Sequence, residues 1–578
     1  MAHTEETSRN VLYEIFDITR PILDQRETHC IVVSLAFVKL EYLKNKNALR
    51  LLTFEELNSC VNLIEDEFLR MFLSEVFLKN QHVLGVEKLN EIVSVLPDDK
   101  EVLINLITDF SIYANFGRMS SEMVTPECVS NLVLNLLDIR PDDKIANLCC
   151  GSGSFMFELS SRNANNSVTG FDLNINCIAL AKIRSKVLGI NAEYHTSYMF
   201  NCVDKFDKCF AQIPFGIRYS EIEHYLLDRI EINGFDTGLL SPSSPSEWVF
   251  ALSIVEHLKA KGKAVFVCTG GALSNGTNRV IREYMINRGW IEAVISLPSQ
   301  LYLTTGIPIN LVVLSEDNDS IRMIDASEIC DKGRRMNTIN SNQIKEIAGL
   351  LVEDREGVSQ SFSIQEVFDN ECNLMPVRYF VSQIDIKNAV TFDSLMSITR
   401  GSTWGRSKLE EFNSAEPTDF CYLELRHIED GHICGQLPYL TDIDTTQLKY
   451  CAEEGDIILS KMGPKFKLAV VGDLKGRKLL VSGNLYILRV DKEKAHPVFI
   501  KAFLETEQGM NQLNRGCVGT TIPNIPVSAL KEVQIPGLSL DEQNELVRQY
   551  EKLRRDNNRY AERIQLNKEK MLHLFDEI

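Results

Sequence analysis

A glycine turn between two apolar segments constrains this chain more than any other feature. Residues 147–155 read Asn-Leu-Cys-Cys-Gly-Ser-Gly-Ser-Phe, directly after the apolar run Lys144-Ile145-Ala146 and before a helical stretch. Further on, Gly170-Phe171-Asp172 ends a second apolar strand. Glycines let the backbone approach a ligand at the carboxyl ends of parallel strands, and an acid there accepts hydrogen bonds from ribose hydroxyls. The pattern predicts a nucleoside cofactor, although the turn alone also suits an ordinary strand–helix connection.

Length and composition set the broad class of protein. A chain of 578 residues predicts three or four domains, and 44% apolar with 24% charged residues is typical of a globular protein in water. The longest apolar run, residues 31–38, is too short to cross a bilayer and lacks the features of a signal peptide. The fifteen cysteines form no Cys-x-x-Cys pair. We therefore expect a cytoplasmic protein with reduced thiols, no metal and no membrane association.

Hydrophobic patterning divides the chain into five parts. Residues 1–115 are predicted to be helical, because apolar residues from Leu57 to Val76 recur at steps of three or four. Residues 116–350 alternate short apolar runs with helical segments, which predicts an α/β domain. Its candidate strands are Lys144–Asn147, Ser167–Asp172, Phe206–Gln212, Ala264–Thr269, Ile291–Leu297 and Ile309–Leu314. Residues 351–385 are predicted to be a connector, and 386–537 a β-rich domain.

The last part, residues 538–578, is predicted to be one long helix. Ser539 and Glu542 have the spacing of a capping box. An alternating step of four and three residues follows, as in a coiled-coil seam. Its members are Leu546, Tyr550, Leu553, Asn557, Tyr560, Ile564, Asn567, Met571 and Leu574. The pattern favours a homodimer or another helical partner through residues 540–575, and the alternative is an amphipathic helix lying on its own domain.

Charge is unevenly distributed along the chain. The net charge of −19 argues against nucleic-acid binding over the whole surface. Residues 381–578, however, carry 26 Lys and Arg against 29 Asp and Glu. Within residues 461–478, six basic residues face a single acid, and they are Lys461, Lys465, Lys467, Lys475, Arg477 and Lys478. This segment is a candidate DNA-binding patch that would contact phosphates, and the alternative is a solvated loop.

A polar turn follows the predicted strand at residues 206–212. Here Gln212-Ile213-Pro214-Phe215-Gly216 places an amide, a proline and an aromatic ring at a strand end. An amide oxygen and a backbone carbonyl can accept the two hydrogens of an exocyclic amine, and the ring offers a stacking face for a planar base. The alternative is a turn with a buried phenylalanine. The sequence contains neither a Ser-His-Asp set nor a set of metal ligands.

These segments together resemble a known family. Met123-Val124-Thr125-Pro126-Glu127, followed by residues 145–155, resemble the F-x-TP and DPACGSGGF motifs of amino-directed adenine DNA methyltransferases. Residues 212–216 lie where that family has N-P-P-F-G. The order of the motifs is that of type I restriction-modification methylation subunits, and the resemblance covers about residues 1–330.

The resemblance implies a Rossmann-like, S-adenosylmethionine-dependent methyltransferase domain. The residues carried over as cofactor-binding are Thr125, Pro126, Asn147, Cys150, Gly151, Gly153, Phe155 and Asp172. Those carried over as catalytic are Gln212, Ile213, Pro214 and Phe215. In this family an adenine of double-stranded DNA leaves the helix, stacks on the aromatic residue and donates its amine hydrogens to the polar turn.

The C-terminal part resembles one half of a type I specificity subunit. The matching segments are residues 421–428, 455–461, 519–524 and 535–538, followed by Asp541-Glu542-Gln543 at the start of the long helix. The resemblance implies a target-recognition domain that reads bases and a helix that acts as a ruler. One such unit in each chain implies that two chains pair to read a bipartite site.

Four departures from the family pattern leave the activity open. Asn147 replaces the leading Asp, the acid expected within Tyr194–Tyr198 is absent, Gln212 replaces the catalytic Asn, and Ile213 replaces the first Pro. The extra methylene of Gln moves the amide oxygen by about 1.5 Å, and such a shift can slow a reaction by about two orders of magnitude.

Three functions are therefore weighed. The first is a sequence-specific DNA adenine N6-methyltransferase of a restriction-modification or related defence system. The second is a catalytically degenerate methyltransferase fold that binds DNA. The third, a Rossmann-type dehydrogenase, is disfavoured because the third glycine of the dinucleotide fingerprint is missing. The sequence contains no nuclease or helicase signature, so cleavage would belong to a separate restriction subunit.

Overall fold

The computed structural model divides the chain into two compact units, Met1–Phe380 and Val381–Ile578. It describes residues 2–45, 53–109, 124–161, 166–226, 229–302, 306–334, 336–380, 386, 388–462, 466–517 and 524–572. Met123, Lys465, Leu574 and the segment 518–523, all used in the sequence predictions, lie outside these residues. Among the described residues, no helix is long and apolar enough to span a bilayer.

Among the described residues, the first unit begins with five helices. They are α1 (Ala2–Thr19), α2 (Gln25–Asn45), α3 (Phe54–Asn62), α4 (Glu67–Val95) and α5 (Lys100–Thr108). Thr53 and Glu56 form a capping box at the start of α3, and Asp66 caps α4. The predicted apolar stripe is buried at Leu57 and Val76, and it lies on α3 and α4.

A nine-stranded sheet follows in the same unit, flanked by further helices. The strands are β1 (Lys144–Leu148), β2 (Ser167–Asp172), β3 (Ala192–Thr196), β4 (Phe206–Gln212), β7 (Leu258–Thr269), β8 (Ile291–Ser296), β9 (Ile309–Leu314), β10 (Ser320–Asp325) and β11 (Ser359–Ser363), and the short β5 (Glu231–Ile232) and β6 (Phe235–Asp236) form a separate hairpin. The helices are α6 (Glu127–Leu137), α7 (Ser154–Ser161), α8 (Ile175–Leu188), α9 (Tyr219–Ile222), α10 (Glu247–Glu256), α11 (Gly270–Ser274), α12 (Arg279–Asn287), α13 (Ser341–Gly349), α14 (Ile364–Asp369) and α15 (Val377–Phe380).

The strand order of the large sheet determines where a ligand can bind. The order is β11-β10-β8-β9-β7-β4-β1-β2-β3, in which β3, β2, β1, β4 and β7 are parallel and β9 runs antiparallel to both its neighbours. The chain reverses its winding direction between β1 and β4. In open α/β sheets, ligands bind beyond the carboxyl ends of the strands at such a reversal.

Two differences from the sequence prediction concern the borders of this unit. The expected connector, residues 351–385, contains β11, which pairs antiparallel with β10 as the edge of the large sheet. The predicted border at residue 115 separates regions that share a core, because Leu180 and Ile183 of α8 pack in the same apolar cluster as α1–α5. The first difference arises because β11 pairs at the edge of the sheet with few apolar residues. The second arises from tertiary packing between α8 and the N-terminal helices.

The second unit is β-rich, as predicted. Its strands are β12 (Ala389–Thr391), β13 (Met396–Arg400), β14 (Asn413–Ser414), β15 (Phe420–Leu423), β16 (Ile428–Glu429), β17 (His432–Ile433), β18 (Tyr439–Leu440), β19 (Cys451–Ala452), β20 (Ile457–Ser460), β21 (Leu468–Val470), β22 (Lys478–Val481), β23 (Leu485–Val490) and β24 (Gln534–Pro536). Its helices are α16 (Phe392–Leu395), α17 (Arg406–Glu411), α18 (Pro497–Leu504), α19 (Glu507–Arg515), α20 (Val527–Lys531) and α21 (Leu540–Leu572). The two main sheets have the orders β13-β23-β20-β21 and β14-β18-β15-β22-β19.

The predicted long helix is α21. Ser539 and Glu542 bond each other's backbone N–H groups, which confirms the capping box. Its first half packs on its own unit, where the Lys501 ammonium donates to the Tyr550 hydroxyl at 2.9 Å. Five other predicted seam residues are exposed, with 44–72% of their surface accessible, and they are Leu546, Leu553, Tyr560, Ile564 and Met571.

Candidate functional site

The glycine turn after β1 is built from left-handed backbone conformations. Cys149, Gly151 and Gly153 have φ angles of 54°, 51° and 94°. A side chain at Gly153 would place its Cβ 3.3 Å from the Cβ of Ala181 on α8. The backbone N–H of Cys150 donates to the carbonyl of Phe171 at 2.9 Å, which joins this turn to the end of β2. Left-handed conformations and close approach together explain why glycine is needed here.

Asp172 lies beside this turn at the carboxyl end of β2. The Gly151 N–H donates to its Oδ2 at 2.9 Å, and the Asn174 N–H donates to its Oδ1 at 2.9 Å. Burial raises the pKa of this half-buried carboxyl, and the backbone donors partly offset that rise. The structure thus fixes a hydrogen-bond acceptor where the sequence predicts contact with a ribose.

The other predicted cofactor residues lie around the same turn. Thr125 is buried, and its N–H donates to the Ser154 hydroxyl at 3.2 Å, which brings the Thr-Pro segment to the start of α7. Phe155 is only 1% exposed and its ring centroid lies 4.5 Å from that of Phe210. It is therefore a core residue that supports the turn.

Several buried polar atoms at this edge of the sheet lack a hydrogen-bond partner among the described residues. Asn147 is 1% exposed, and neither its Oδ1 nor its Nδ2 has a hydrogen-bond partner among the described residues. The Ser152 hydroxyl is buried and lacks a partner in the same part of the structure. Because buried polar groups are costly when unpaired, these atoms mark a place where a polar ligand would complete the site. The residues present therefore fit a nucleoside cofactor.

An aromatic cluster closes the space next to Cys149. Tyr198 makes edge contacts with Tyr225 and Phe250, with ring centroids 4.9 and 5.3 Å away. The cavity left between this cluster and the end of β1 has a volume of about 10 Å³. That is room for about one water molecule. A bound nucleoside therefore has to lie outside this cluster, along the turn and Asp172.

The end of β4 carries the predicted catalytic turn. Gln212 is 5% exposed, Ile213 is fully buried, and Pro214 and Phe215 are half-buried. The Tyr302 hydroxyl donates to Gln212 Oε1 at 2.6 Å, while Gln212 Nε2 has no partner among the described residues. Burial raises the pKa of Tyr302, so the phenol stays neutral and remains a donor. The Phe215 ring stands edge-on to that of Tyr302, with centroids 6.3 Å apart.

Two buried side chains near these strand ends were missed by sequence reasoning. Glu247 opens α10, is 2% exposed and has an unpaired Oε2 among the described residues, and burial raises its pKa. It follows Ser246, whose N–H donates to the carbonyl of Ile217 next to the predicted catalytic turn. The available signal was an acid directly before the apolar helix 248–255.

The second missed residue is Arg184 on α8. Its guanidinium donates to the carbonyls of Ile107 at 2.8 Å and Ser152 at 2.9 Å, and lies 2.8 Å from His29 Nε2. Burial, followed by the Arg184 charge, lowers the pKa of His29, so the ring is neutral and accepts. Arg184 therefore joins the N-terminal helices to the glycine turn.

The predicted basic patch of the second unit is only partly open. Lys475, Arg477 and Lys478 are exposed, and the Arg477 guanidinium lies 5.7 Å from the centroid of the Tyr439 ring. Lys461 and Lys467 are half-buried, and the Lys467 ammonium donates to the carbonyl of Leu425 at 3.5 Å. The exposed part of the patch is therefore the β21–β22 connection. No cluster of three or more potential metal ligands occurs in the described ranges.

The sheet order and the strand-end site define the class of fold. An open sheet with a winding reversal, a left-handed glycine turn after β1 and an acid after β2 form an α/β fold of the S-adenosylmethionine-dependent methyltransferase kind. A solved structure, the type I restriction-modification system methyltransferase subunit from Streptococcus thermophilus, aligns with a TM-score of 0.50 and 18% identity. The alignment covers 64% of this chain and 98% of that one, and confirms the fold class.

Sequence comparisons agree with this class. Residues 106–388 match the N-6 DNA Methylase family, which confirms the predicted resemblance over that part of the chain. The MpnII methylase subunit of a type I restriction enzyme from Mycoplasma pneumoniae is 24% identical over 339 residues, which are 52% of this chain and 62% of the relative. The MjaVII methylase subunit from Methanocaldococcus jannaschii is 25% identical over 58% of this chain and 60% of its own length. The chain thus spans about three fifths of these curated relatives.

Proposed function

We propose that this protein is a DNA adenine methyltransferase of a restriction-modification system, which transfers a methyl group from S-adenosylmethionine to the N6 amine of adenine in double-stranded DNA. The observation that carries this proposal is the site at the carboxyl edge of the sheet, where Asp172 and Gln212 lie on either side of the winding reversal. That site falls within residues 106–388, which match the N-6 DNA Methylase family.

The cofactor would lie along the glycine turn. The carboxylate of Asp172 would accept hydrogen bonds from the ribose hydroxyls, and the unpaired amide of Asn147 would bond polar groups of the same ligand. When bound, the cofactor supplies an electrophilic methyl group on a positively charged sulfur. The left-handed turn at Gly151 and Gly153 would let the backbone approach it closely.

The target base would be held by the turn after β4. Phe215 offers a ring face for stacking, and the half-buried Pro214 stiffens the backbone beside it. Acceptors at Gln212 and the Ile213 carbonyl would bond the amine hydrogens and make the nitrogen lone pair available. In the transfer, the new N–C bond forms as the S–C bond breaks, sulfur keeps the bonding pair, and the amine releases one proton to water.

The second unit is proposed to recognise the DNA target. Its support is the resemblance to half a specificity subunit and the exposed basic side chains of Lys475, Arg477 and Lys478. The exposed seam of α21 would pair with a second copy or another helical subunit. Cleavage of DNA would require a separate restriction subunit.

A degenerate, DNA-binding methyltransferase fold is the second candidate. Two observations favour it: the Gln212 oxygen is already bonded by Tyr302, and the turn has a fully buried Ile213 where the family has proline. Such a protein would bind cofactor and DNA and leave the DNA unmethylated.

Tritium transfer distinguishes the two candidates. Full-length protein is incubated with tritiated S-adenosylmethionine and unmethylated plasmid DNA, and label in the DNA is counted. If the protein is an enzyme, incorporation should be slow and should fall several-fold in Asp172→Asn when the cofactor is below saturation. Asp317→Asn is the matched control, because this exposed carboxyl follows β9 at the opposite edge of the sheet. Binding of both ligands with no incorporation would favour the degenerate protein.

A further inference from the structure

A hydrogen bond joins Tyr302 to Gln212 at the end of β4, where the target base is proposed to bind. It links residues 90 positions apart, and its O···O distance is 2.6 Å. Tyr302 is 3% exposed and Gln212 is 5% exposed, so neither group can bond bulk water instead. A buried hydrogen bond of this length restrains the orientation of the amide.

The orientation of the amide follows from counting donors and acceptors. A phenol has one proton to donate, and in the described part of the chain the Gln212 oxygen is the acceptor given for the Tyr302 hydroxyl. Reversing the amide would leave that buried proton without an acceptor and the Gln212 oxygen without a donor. The arrangement with the oxygen toward Tyr302 therefore costs less.

The free end of the Gln212 amide is consequently a donor. Its Nε2 is buried and has no partner among the described residues. The N6 amine of adenine also donates its hydrogens, so the two groups cannot form a hydrogen bond with each other. An adenine that enters the site finds a donor where the reaction needs an acceptor.

The length of the Gln212 side chain is essential to the hydrogen bond with Tyr302. An asparagine side chain is one methylene shorter, about 1.5 Å, so its oxygen would lie about 4 Å from the Tyr302 hydroxyl. That separation is beyond hydrogen-bond range. Tyr302 can therefore hold a glutamine at position 212 but not an asparagine.

We propose that Tyr302 restrains the Gln212 amide with its oxygen turned away from the target base, and thereby slows methyl transfer. Tyr302 is then a positioning residue, and methyl transfer requires the Tyr302–Gln212 bond to open first so that the oxygen can turn to the amine. This proposal deepens the proposed function and rests on it.

A double-mutant cycle tests the proposal in the full-length protein. Tyr302→Phe removes only the hydroxyl, and we expect tritium transfer to unmethylated plasmid DNA to rise about fivefold, the equilibrium factor of one net hydrogen bond. In the Gln212→Asn background the same change should alter the rate less than twofold. Tyr379→Phe is the matched control, because it removes the hydroxyl of a half-buried tyrosine, which bonds the carbonyl of Asn373, and should leave the rate unchanged.

The outcomes separate this proposal from the proposed function. An unchanged or lower rate in Tyr302→Phe, alongside active Gln212→Asn, would overturn the restraint and leave the enzyme standing. No incorporation by any variant would remove the proposed function instead. In that case NMR tests the hydrogen bond through the side-chain carbonyl ¹³C resonance of Gln212. This resonance is assigned by its loss in Gln212→Asn. A shift of that resonance in Tyr302→Phe supports the hydrogen bond, and an unmoved resonance refutes it.

Discussion

The two halves of the strand-end site differ in how ready they are for their ligands. Around β1 and β2, Asp172 is held by two backbone donors, and the Asn147 amide is buried and still unpaired among the described residues. At the end of β4, the oxygen of Gln212 is already occupied by Tyr302. On the proposed cofactor half, the end of β1 and β2, the Asn147 amide thus has no partner among the described residues and can bond a ligand. On the proposed base half, the end of β4, the Gln212 oxygen already accepts from Tyr302.

The contrast indicates that cofactor binding and methyl transfer depend on different residues of one fold. The glycine turn depends on backbone conformation and close packing, and Asn147 lies outside it on β1. The base half depends on the position of one oxygen, so a single methylene at Gln212 changes what it can do. We therefore expect strong cofactor binding together with slow transfer.

We expect the largest effect from removing Arg184, which bonds the glycine turn of the cofactor half. Arg184→Met removes three hydrogen bonds of a buried guanidinium, to the carbonyls of Ile107 and Ser152 and to His29 Nε2, and leaves these acceptors without that donor. The free energy of unfolding should fall by about 3 kcal/mol in urea titrations followed by tryptophan fluorescence. Arg140→Met, at an arginine whose side chain is 77% exposed, should cost less than about 0.5 kcal/mol. Equal losses in the two variants would show that Arg184 does not support the turn.

The next effect repairs the base half. The double variant Gln212→Asn, Ile213→Pro restores the family's amide length and stiffens the turn, so the tritium-transfer rate should rise about 100-fold. The dissociation constant for S-adenosylmethionine should stay within twofold, because the cofactor half is untouched. A rate that does not rise would place the defect elsewhere or show that Gln212 already works.

A smaller effect tests the acceptor of the cofactor half. Asp172→Asn replaces one ionised acceptor oxygen with a donor group, and the calorimetric dissociation constant for S-adenosylmethionine should rise about tenfold or more. The matched variant Asp317→Asn should bind like the unmodified protein. Unaltered affinity in Asp172→Asn would mean that the cofactor does not reach β2.

The smallest effect is a pH dependence. Burial raises the pKa of Asp172, and the ionised form is the one that accepts from ribose hydroxyls. As the pH falls, the carboxyl is protonated earlier than an exposed aspartate, so cofactor affinity should begin to decrease at a higher pH than the ordinary aspartate value of about 3.9 predicts. Titrations from neutral to acidic pH should show this decrease, and Asp172→Asn should flatten it. A decrease that persists in the variant would assign it to another group.

Much of the large sheet could be predicted from the sequence. The bounds of β2, β4 and β9 agree with the prediction, because each is a short run rich in apolar residues between turn signals. The edge strands β3 and β11 were missed, since their sequences, Ala192–Thr196 and Ser359–Ser363, are polar and half-exposed. Strands at an edge need few apolar residues and leave a weak pattern.

The site was predictable where a local sequence motif marks its residues. The glycine turn and Asp172 lie within one strand–helix–strand segment, so local spacing identified them. Tyr302 and Arg184 reach the site from distant elements, and a single sequence carries no signal for such contacts. The restraint on Gln212 therefore became visible only when the fold placed Tyr302 against the end of β4.

The most direct test of the account identifies the product. Unmethylated plasmid DNA is incubated with the full-length protein and S-adenosylmethionine carrying a deuterated methyl group, then digested to nucleosides for mass spectrometry. We expect deuterium-labelled N6-methyl-2′-deoxyadenosine with the unmodified protein, more of it with Gln212→Asn, Ile213→Pro, and less of it with Asp172→Asn. Absence of the labelled nucleoside from every reaction, while calorimetry shows that cofactor and DNA both bind, would contradict it.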